Sequence, residues 1–303
     1  MNISASISPI WREYGLTEPQ IFEQLKQCGF DCADYEFSPY NQDDWAGSDP
    51  DAWAKRFSRC FDEINIRPVT AHVSGFDPFD DSGKVAQAVR CAGALGIDKV
   101  VIPLGFTKDN ARREYELNNL EYLKHLLPVA SDSGVTLLIE HSGSWLGPHY
   151  THHAIELIRM LERLGEPEHL KVSLNTGNLG VAEIKPYTEI LMLGGRILNV
   201  DLSDNFGGMP LAVHPEREAL GLAPMMGYID FDRVMQGLKE TAYKGDFNLR
   251  MNMPRVFPKH SPYHAEAPLG FMPPDITRRL HSWSLHIIKH MLDVYGFIGE
   301  AQK

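Results

Sequence analysis

Six short apolar runs in this sequence end in side chains that can hold or move protons. In chain order they supply Asp34 or Glu36, then His72, Glu140 followed by His141, Asn175 with Asn178, Asp201 with Asp204, and Arg250 with Asn252. Carboxylates and imidazoles work as general acids and bases, and the same groups ligate divalent ions. A guanidinium recognises oxyanions through a charged fork. One polar residue at such a position is as readily the cap of the next helix as a working group. Six in succession point to a polar ligand site. Glu140, Arg250, His72 and His141 are the candidate catalytic residues, and Asn175, Asn178, Asp201, Asp204, Asn252, Trp11, Glu36 and His214 are the candidate binding residues.

Other groups fall between these runs. His149, His152 and His153 follow Gly147-Pro148 and read either as a surface helix start or as ligand-facing. His214, His260 and His264 lie in long Pro/Gly-rich stretches, where an imidazole titrating near neutrality serves as acid or base. His281, His286 and His290 recur at helical spacing and read as structural. Trp11, Trp145, Phe206 and Tyr228 are candidates either for stacking on a ring-shaped ligand or for packing, and Arg255 and Lys259 are loop charges that suit an anion.

The elements that must position these residues are legible. β-Branched apolar runs at 3–8, 32–37, 68–73, 99–104, 136–141, 171–175, 197–202 and 247–252 predict strands. Helix-period segments at 18–27, 51–64, 82–95, 114–131, 153–164, 185–193, 231–242 and 275–295 separate them. Gly29, Gly96, Gly134 and Gly245 stand where a left-handed residue would close a helix before the next strand. Strands separated by helices imply a parallel sheet covered on both faces. Eight such units predict one (β/α)8 barrel over 1–303, an α/β fold whose strand C-termini line the working face. An open doubly wound sheet would need a Gly-rich phosphate loop after the first strand, and Ser8-Pro9-Ile10-Trp11 is not one. The stretches 203–230 and 253–274 are too long for plain turns and read as lids over that face.

Composition narrows the function. The chain has 303 residues, 29 basic and 40 acidic, a net charge of −11, and 43% hydrophobic residues. That acidic balance disfavours nucleic acid and anionic membranes as partners. No apolar run reaches the roughly 20 residues of a membrane span. The N-terminus lacks the pattern of a signal peptide, so a cytoplasmic location is expected. Cys28, Cys32, Cys60 and Cys91 show no zinc-ligand spacing and read as reduced thiols.

Several motifs, in order, carry a family resemblance. They are Gly29-Phe30-Asp31, Thr136-Leu137-Leu138-Ile139-Glu140, Leu174-Asn175-Thr176-Gly177-Asn178, Asp201-Leu202-Ser203-Asp204-Asn205, Pro224 to Phe231, and Tyr243-Lys244-Gly245. Over essentially its whole length the chain resembles the xylose isomerase-like TIM barrels, the sugar phosphate isomerase/epimerase family. The resemblance implies a divalent metal held by Glu, Asp, His and Glu on strands five to eight, with the glutamates shuttling a proton between sugar carbons. Here Glu140 keeps the first place, while Asn175, Asp201 and Arg250 stand for Asp, His and the final Glu, and Asn178 stands for a further His.

Arg250 cannot ligate a metal. At 4 Å and an effective dielectric of 20, two unit charges interact by roughly 4 kcal/mol, and a divalent ion doubles this. The expectation is therefore no metal and no other cofactor, with the Arg250 fork facing Glu140 and Asp201. Two alternatives remain open. One is a degenerate Mn, Mg, Co or Zn site on Glu140, Asn175 and Asp201, supplemented by His72, His141 or Asn252. The other is an eighth strand whose register turns Arg250 outward.

The resemblance implies an isomerase or epimerase acting on a sugar, keto-sugar or polyol by proton transfer beside a carbonyl. Glu140 would be the base and Arg250 the electrophile, although Arg250 nearby should lower the Glu140 pKa and so oppose that role. A lyase or dehydratase on a keto-sugar or keto-glycoside is an alternative. So is a catalytically degenerate barrel that binds a sugar or partners an active paralogue. Apurinic endonuclease activity, also found on this fold, fits poorly with the missing histidines and the acidic charge. A homodimer or tetramer is the family-based expectation.

Overall fold

The computed structural model describes residues 1–7, 14–105, 112–142, 150–205, 221–251 and 273–298. Eight parallel strands close on themselves in sequence order: β1 (Ile3–Ser6), β2 (Cys32–Phe37), β3 (Arg67–Val73), β4 (Lys99–Ile102), β5 (Thr136–Glu140), β6 (Leu170–Asn175), β7 (Ile197–Leu202) and β8 (Asp246–Leu249). β1 pairs with β8, matching Ser4 with Asn248, and so closes the barrel. The single (β/α)8 barrel read from the sequence is the fold.

Helices α1 (Glu18–Gln27), α2 (Gln42–Trp45), α3 (Pro50–Ile64), α4 (Ser82–Ala94), α5 (Arg112–Asp132), α6 (Ala154–Arg163), α7 (Thr176–Val181), α8 (Pro186–Leu193), α9 (Phe231–Glu240) and α10 (Pro274–Val294) run between and after the strands. Their starts are written locally. Asp49 accepts from the Ala52 amide at 3.0 Å and Pro50 opens α3, while Asp230 accepts from the Arg233 amide at 3.0 Å and opens α9. The two short helices, α2 and α7, fall outside the segments read from sequence because they are too brief to show a helical period. Outward residues of β2 fill the shell: Phe37 meets Trp45 edge-on at 5.2 Å and Tyr35 meets Trp53 at 5.6 Å.

Gly29, Gly96 and Gly134 are left-handed as expected, but Gly245 is not, and Ala242 takes the positive φ of 52° after α9. Gly245 is needed for close approach, since a Cβ there would overlap the Leu198 carbonyl and the Tyr243 hydroxyl.

The barrel interior differs from an ordinary aliphatic one. Side chains alternate along a strand, so one parity faces inward. That parity is polar on six strands: Ser4 and Ser6, Asp34 and Glu36, Thr70 and His72, Ser173 and Asn175, Asn199 and Asp201, and Asn248 followed by Arg250. β4 and β5 retain Val101 and Leu138, which pair with each other. Among the described residues, no helix is long and apolar enough to cross a membrane.

Candidate active site

The inward residues meet at the C-terminal end of the barrel. His72 is the hub: its Nδ1 lies 2.8 Å from Asp34 Oδ1 and its Nε2 lies 3.1 Å from Asp201 Oδ2. A carboxylate can only accept, so both ring nitrogens carry hydrogen and the ring is an imidazolium. Burial and Arg250 work against that charge. Asp34 and Asp201 outweigh them and push the His72 pKa up to about 10.

Both acidic partners are fully buried and well supplied with donors. Asp34 also accepts from Thr70 Oγ1 at 2.9 Å and Asn248 Nδ2 at 3.3 Å. Asp201 accepts from Asn248 at 2.7 Å, Asn199 at 3.2 Å and Ser173 at 3.0 Å. Burial alone would raise the Asp201 pKa. The His72 and Arg250 charges, with these donors, hold it well below the usual carboxylate range instead.

Glu140 ends β5 and is partly accessible. Asn175 Nδ2 donates to its Oε1 at 3.1 Å and Asn178 Nδ2 to its Oε2 at 3.0 Å. Asn175 is also the N-cap of α7, its Oδ1 accepting from the Asn178 backbone N–H at 3.1 Å. One side chain therefore starts the helix that delivers the second amide and itself delivers the first. Burial, then the Asp201 charge, push the Glu140 pKa up to about 7, against the pull of His72, Arg250 and the Asn175 hydrogen bond.

Arg250 follows β8, its N–H donating to the Leu202 carbonyl at 3.2 Å, so the strand register carries it inward. The expectation that its fork faces Glu140 and Asp201 is corrected. Nη1 lies 3.7 Å from Asp34 Oδ2 and Nη2 lies 3.8 Å from Glu36 Oε1. Asp201 is already engaged by His72 and three neutral donors, and Glu140 by two amides. The guanidinium therefore settles on the β2 carboxylates. Its Nη1 is buried and has no hydrogen-bond acceptor. Glu36 accepts from Ser74 Oγ at 2.5 Å.

Two other expectations change. His141 does not join the pocket. Its ring is buried, with both nitrogens lacking a hydrogen-bond partner, and its titratable neighbours are His152 and His153 at the start of α6. Burial, with those two histidines, lowers its pKa to about 3, so it stays neutral at ordinary pH. It follows Glu140 by one residue, and strand alternation sends consecutive side chains to opposite faces. Asp204 is a loop anchor: it accepts from the backbone N–H groups of Asn205 at 2.8 Å, Gly227 at 2.7 Å and Ile229 at 3.1 Å, and it is fully buried.

His152 and His153 serve the start of α6. The first lies 2.9 Å from the Ser142 carbonyl through Nδ1, and the second caps the helix with Glu156. His281 is buried against the Thr277 carbonyl at 2.8 Å, and burial lowers its pKa to about 4. Tyr228 is 77% exposed on the rim. Trp11, His149, Trp145, Phe206, His214, Asn252, Arg255, Lys259, His260 and His264 lie outside the described residues.

Sequence reasoning left Asp34 as one of two options on its strand and passed over Ser173, Asn199 and Asn248. The signal was present as residue pairs two apart: Asp34 and Glu36, Ser173 and Asn175, Asn199 and Asp201, Asn248 and Arg250.

His72, Glu140 and Asp201 each offer an atom within 4.8 Å of the others, the one such set among the described residues. Their chemistry does not fit a divalent ion. Both His72 nitrogens are committed as donors, every oxygen of Glu140 and Asp201 already accepts a hydrogen bond, and Arg250 adds a positive charge beside them.

Comparison with known proteins accords with this geometry at the level of fold. Residues 22–273 match the family model described as xylose isomerase-like TIM barrel, and the chain belongs to that family. Among solved structures it resembles D-psicose 3-epimerase with D-tagatose from Clostridium cellulolyticum H10, at TM-score 0.74 and 13% identity, covering 96% of this chain and 99% of that one. It also resembles L-ribulose 3-epimerase, at TM-score 0.69 and 15% identity over 97% and 95% of the two chains. The zinc-binding IOLI protein is similar at TM-score 0.69 and 13% identity over 99% and 100%. At such identities the likeness speaks for the fold. Comparison with curated protein sequences gives no match.

Proposed function

We propose that this chain is an enzyme that moves a proton on a carbon next to a carbonyl, in a sugar, keto-sugar or polyol-derived substrate. The observation that carries this reading is the pairing of two groups in one pocket. Glu140 is a carboxyl group with a pKa near neutrality, and Arg250 Nη1 is a buried donor awaiting an acceptor. A base whose pKa sits near the working pH is the efficient one for proton abstraction. A fixed, partly desolvated guanidinium stabilises the oxyanion that develops as the carbon loses its proton. The tension over Arg250 eases, because its fork rests on Asp34 and Glu36 and burial dominates at Glu140.

In this scheme Glu140 takes the α-proton while the substrate carbonyl oxygen accepts from Arg250 Nη1. The electron pair of the broken C–H bond moves onto that oxygen as an enediolate. An isomerisation is complete when the same proton returns to the neighbouring carbon and the hydroxyl proton of the carbon that lost it passes to the former carbonyl oxygen, so that the C=O moves by one carbon. Expelling a β-hydroxyl, with that proton leaving in the water formed, completes an elimination. Arg250 at the place of the second glutamate favours these one-base outcomes over two-base epimerisation. The epimerase names among the similar structures support a sugar-like substrate. The same Arg250 substitution favours a second reading, a barrel that binds a sugar without turning it over.

The test is proton NMR of ketoses and 3-keto-glycosides incubated with the protein in D2O, with Glu140→Gln as control. Deuterium incorporation or product that needs Glu140 supports the enzyme. A sugar that raises Tm with no Glu140-dependent exchange supports binding alone.

A further inference from the structure

We propose that this pocket works without a resident divalent cation, its two positive charges being supplied by the His72 imidazolium and the Arg250 guanidinium. The proposal deepens the proton-transfer reading and rests on it only for what Arg250 does to substrate.

Geometry carries it. A metal needs lone pairs, and His72 has none to give, because Asp34 and Asp201 occupy both of its nitrogens at 2.8 and 3.1 Å. These contacts come from strands on different sides of the barrel, so they clamp the ring in place. Asp201 spends Oδ1 on Asn248 and Asn199 and Oδ2 on Ser173 and His72. Glu140 spends both oxygens on side-chain amides. A divalent ion would have to displace these donors while facing two fixed cations. The cationic charge equals that of a divalent ion. Four carboxyl groups, Asp34, Glu36, Glu140 and Asp201, surround His72 and Arg250, two unit charges where an ion would bring two. The exchange also distributes the charge. His72 is sealed against Asp34 and Asp201, while Arg250 keeps one buried donor without an acceptor. His72 is thus the charge-balancing half and Arg250 the substrate-facing half.

The experiment uses the whole chain purified without chelator. Metal content is read by mass spectrometry, and Tm is recorded with added Mn2+, Co2+, Zn2+ or Mg2+. Ring nitrogens of His72 are read by 15N NMR at pH 8, assigned with His72→Gln. Expected are far less than one ion per chain, no saturable Tm shift, and both His72 nitrogens protonated. Arg250→Glu is expected to create an ion site, with Mn2+ at about a hundredfold its Kd raising Tm by about 5 °C. One firmly held ion per chain that is lost in Asp201→Asn overturns the proposal, as does a neutral His72 ring. A folded Arg250→Glu protein that binds no ion overturns the role given to Arg250. If Arg250→Glu does not fold, the wild-type measurements decide alone. Glu140-dependent turnover that requires added Mn2+ would sink this proposal and leave the proton-transfer reading standing. A metal-free protein with no turnover would do the reverse.

Discussion

Asp34 on β2 and Asp201 on β7 hold opposite nitrogens of one imidazole, that of His72, at 2.8 and 3.1 Å. Two buried carboxylates at this separation would repel strongly without the ring between them. Removing one partner of a buried charge pair costs about 3–5 kcal/mol, mostly from the charge left uncompensated. His72→Gln should therefore destabilise the protein by that order in urea denaturation. Adding Asp34→Asn to the same chain should recover part of the loss. A double variant as unstable as the sum of the singles would show that the ring does not mediate between them.

Glu140 should set the rising limb of the pH–rate profile. Its pKa of about 7 means that the ionised base is depleted below neutrality, so kcat/KM should fall about tenfold per pH unit there. Asp201→Asn removes a neighbouring negative charge and should move the limb to lower pH. A limb unmoved by that change would detach it from Glu140.

The same group bears on stability. The folded pKa lies above the ordinary value of 4.5, so the folded chain holds more protons than the unfolded chain between about pH 4.5 and 7. This contribution is full below that window and lost as pH rises through it. Glu140→Gln should therefore gain stability relative to wild type at pH 8 compared with pH 5. Equal differences at the two pH values would contradict the raised pKa.

Asn175 and Asn178 separate by their second roles. Asn178→Ala removes one donor from Glu140 and should push the kinetic pKa further up with a modest change in Tm. Asn175→Ala also removes the N-cap of α7, worth about 1 kcal/mol, and should lower stability more. Comparing kinetic pKa with denaturation midpoint for both variants distinguishes the effects.

Asp204→Ala should free the 227–229 segment. Three backbone N–H groups lose their acceptor, an effect of about 1–3 kcal/mol for each one left buried and unpaired. Hydrogen exchange at Gly227 and Ile229 should quicken ahead of the barrel strands. Unchanged protection at both amides would refute the anchor role.

Much of this was visible in the sequence. The strand and helix periods and the polar residues at six strand ends are local patterns, each decided by neighbours a few positions away. The alternation that separates Glu140 from His141 is equally local, but the expectation that both reach the pocket did not apply it. The left-handed residue at Ala242 was not visible, because Gly245 looked like the natural closing residue until the nearness of Leu198 gave it another reason to be glycine.

The sequence by itself determined a closed eight-fold repeat with a mouth rich in carboxyl, amide and cationic groups, because periodicity and strand-end chemistry are written one residue at a time. Only the tertiary structure decided who meets whom. The barrel brings β2, β3 and β7 around one imidazole, and it leaves Arg250 to Asp34 and Glu36 once Asp201 and Glu140 are occupied. Those pairings depend on barrel closure, strand stagger and side-chain reach, none of which is a property of any single segment.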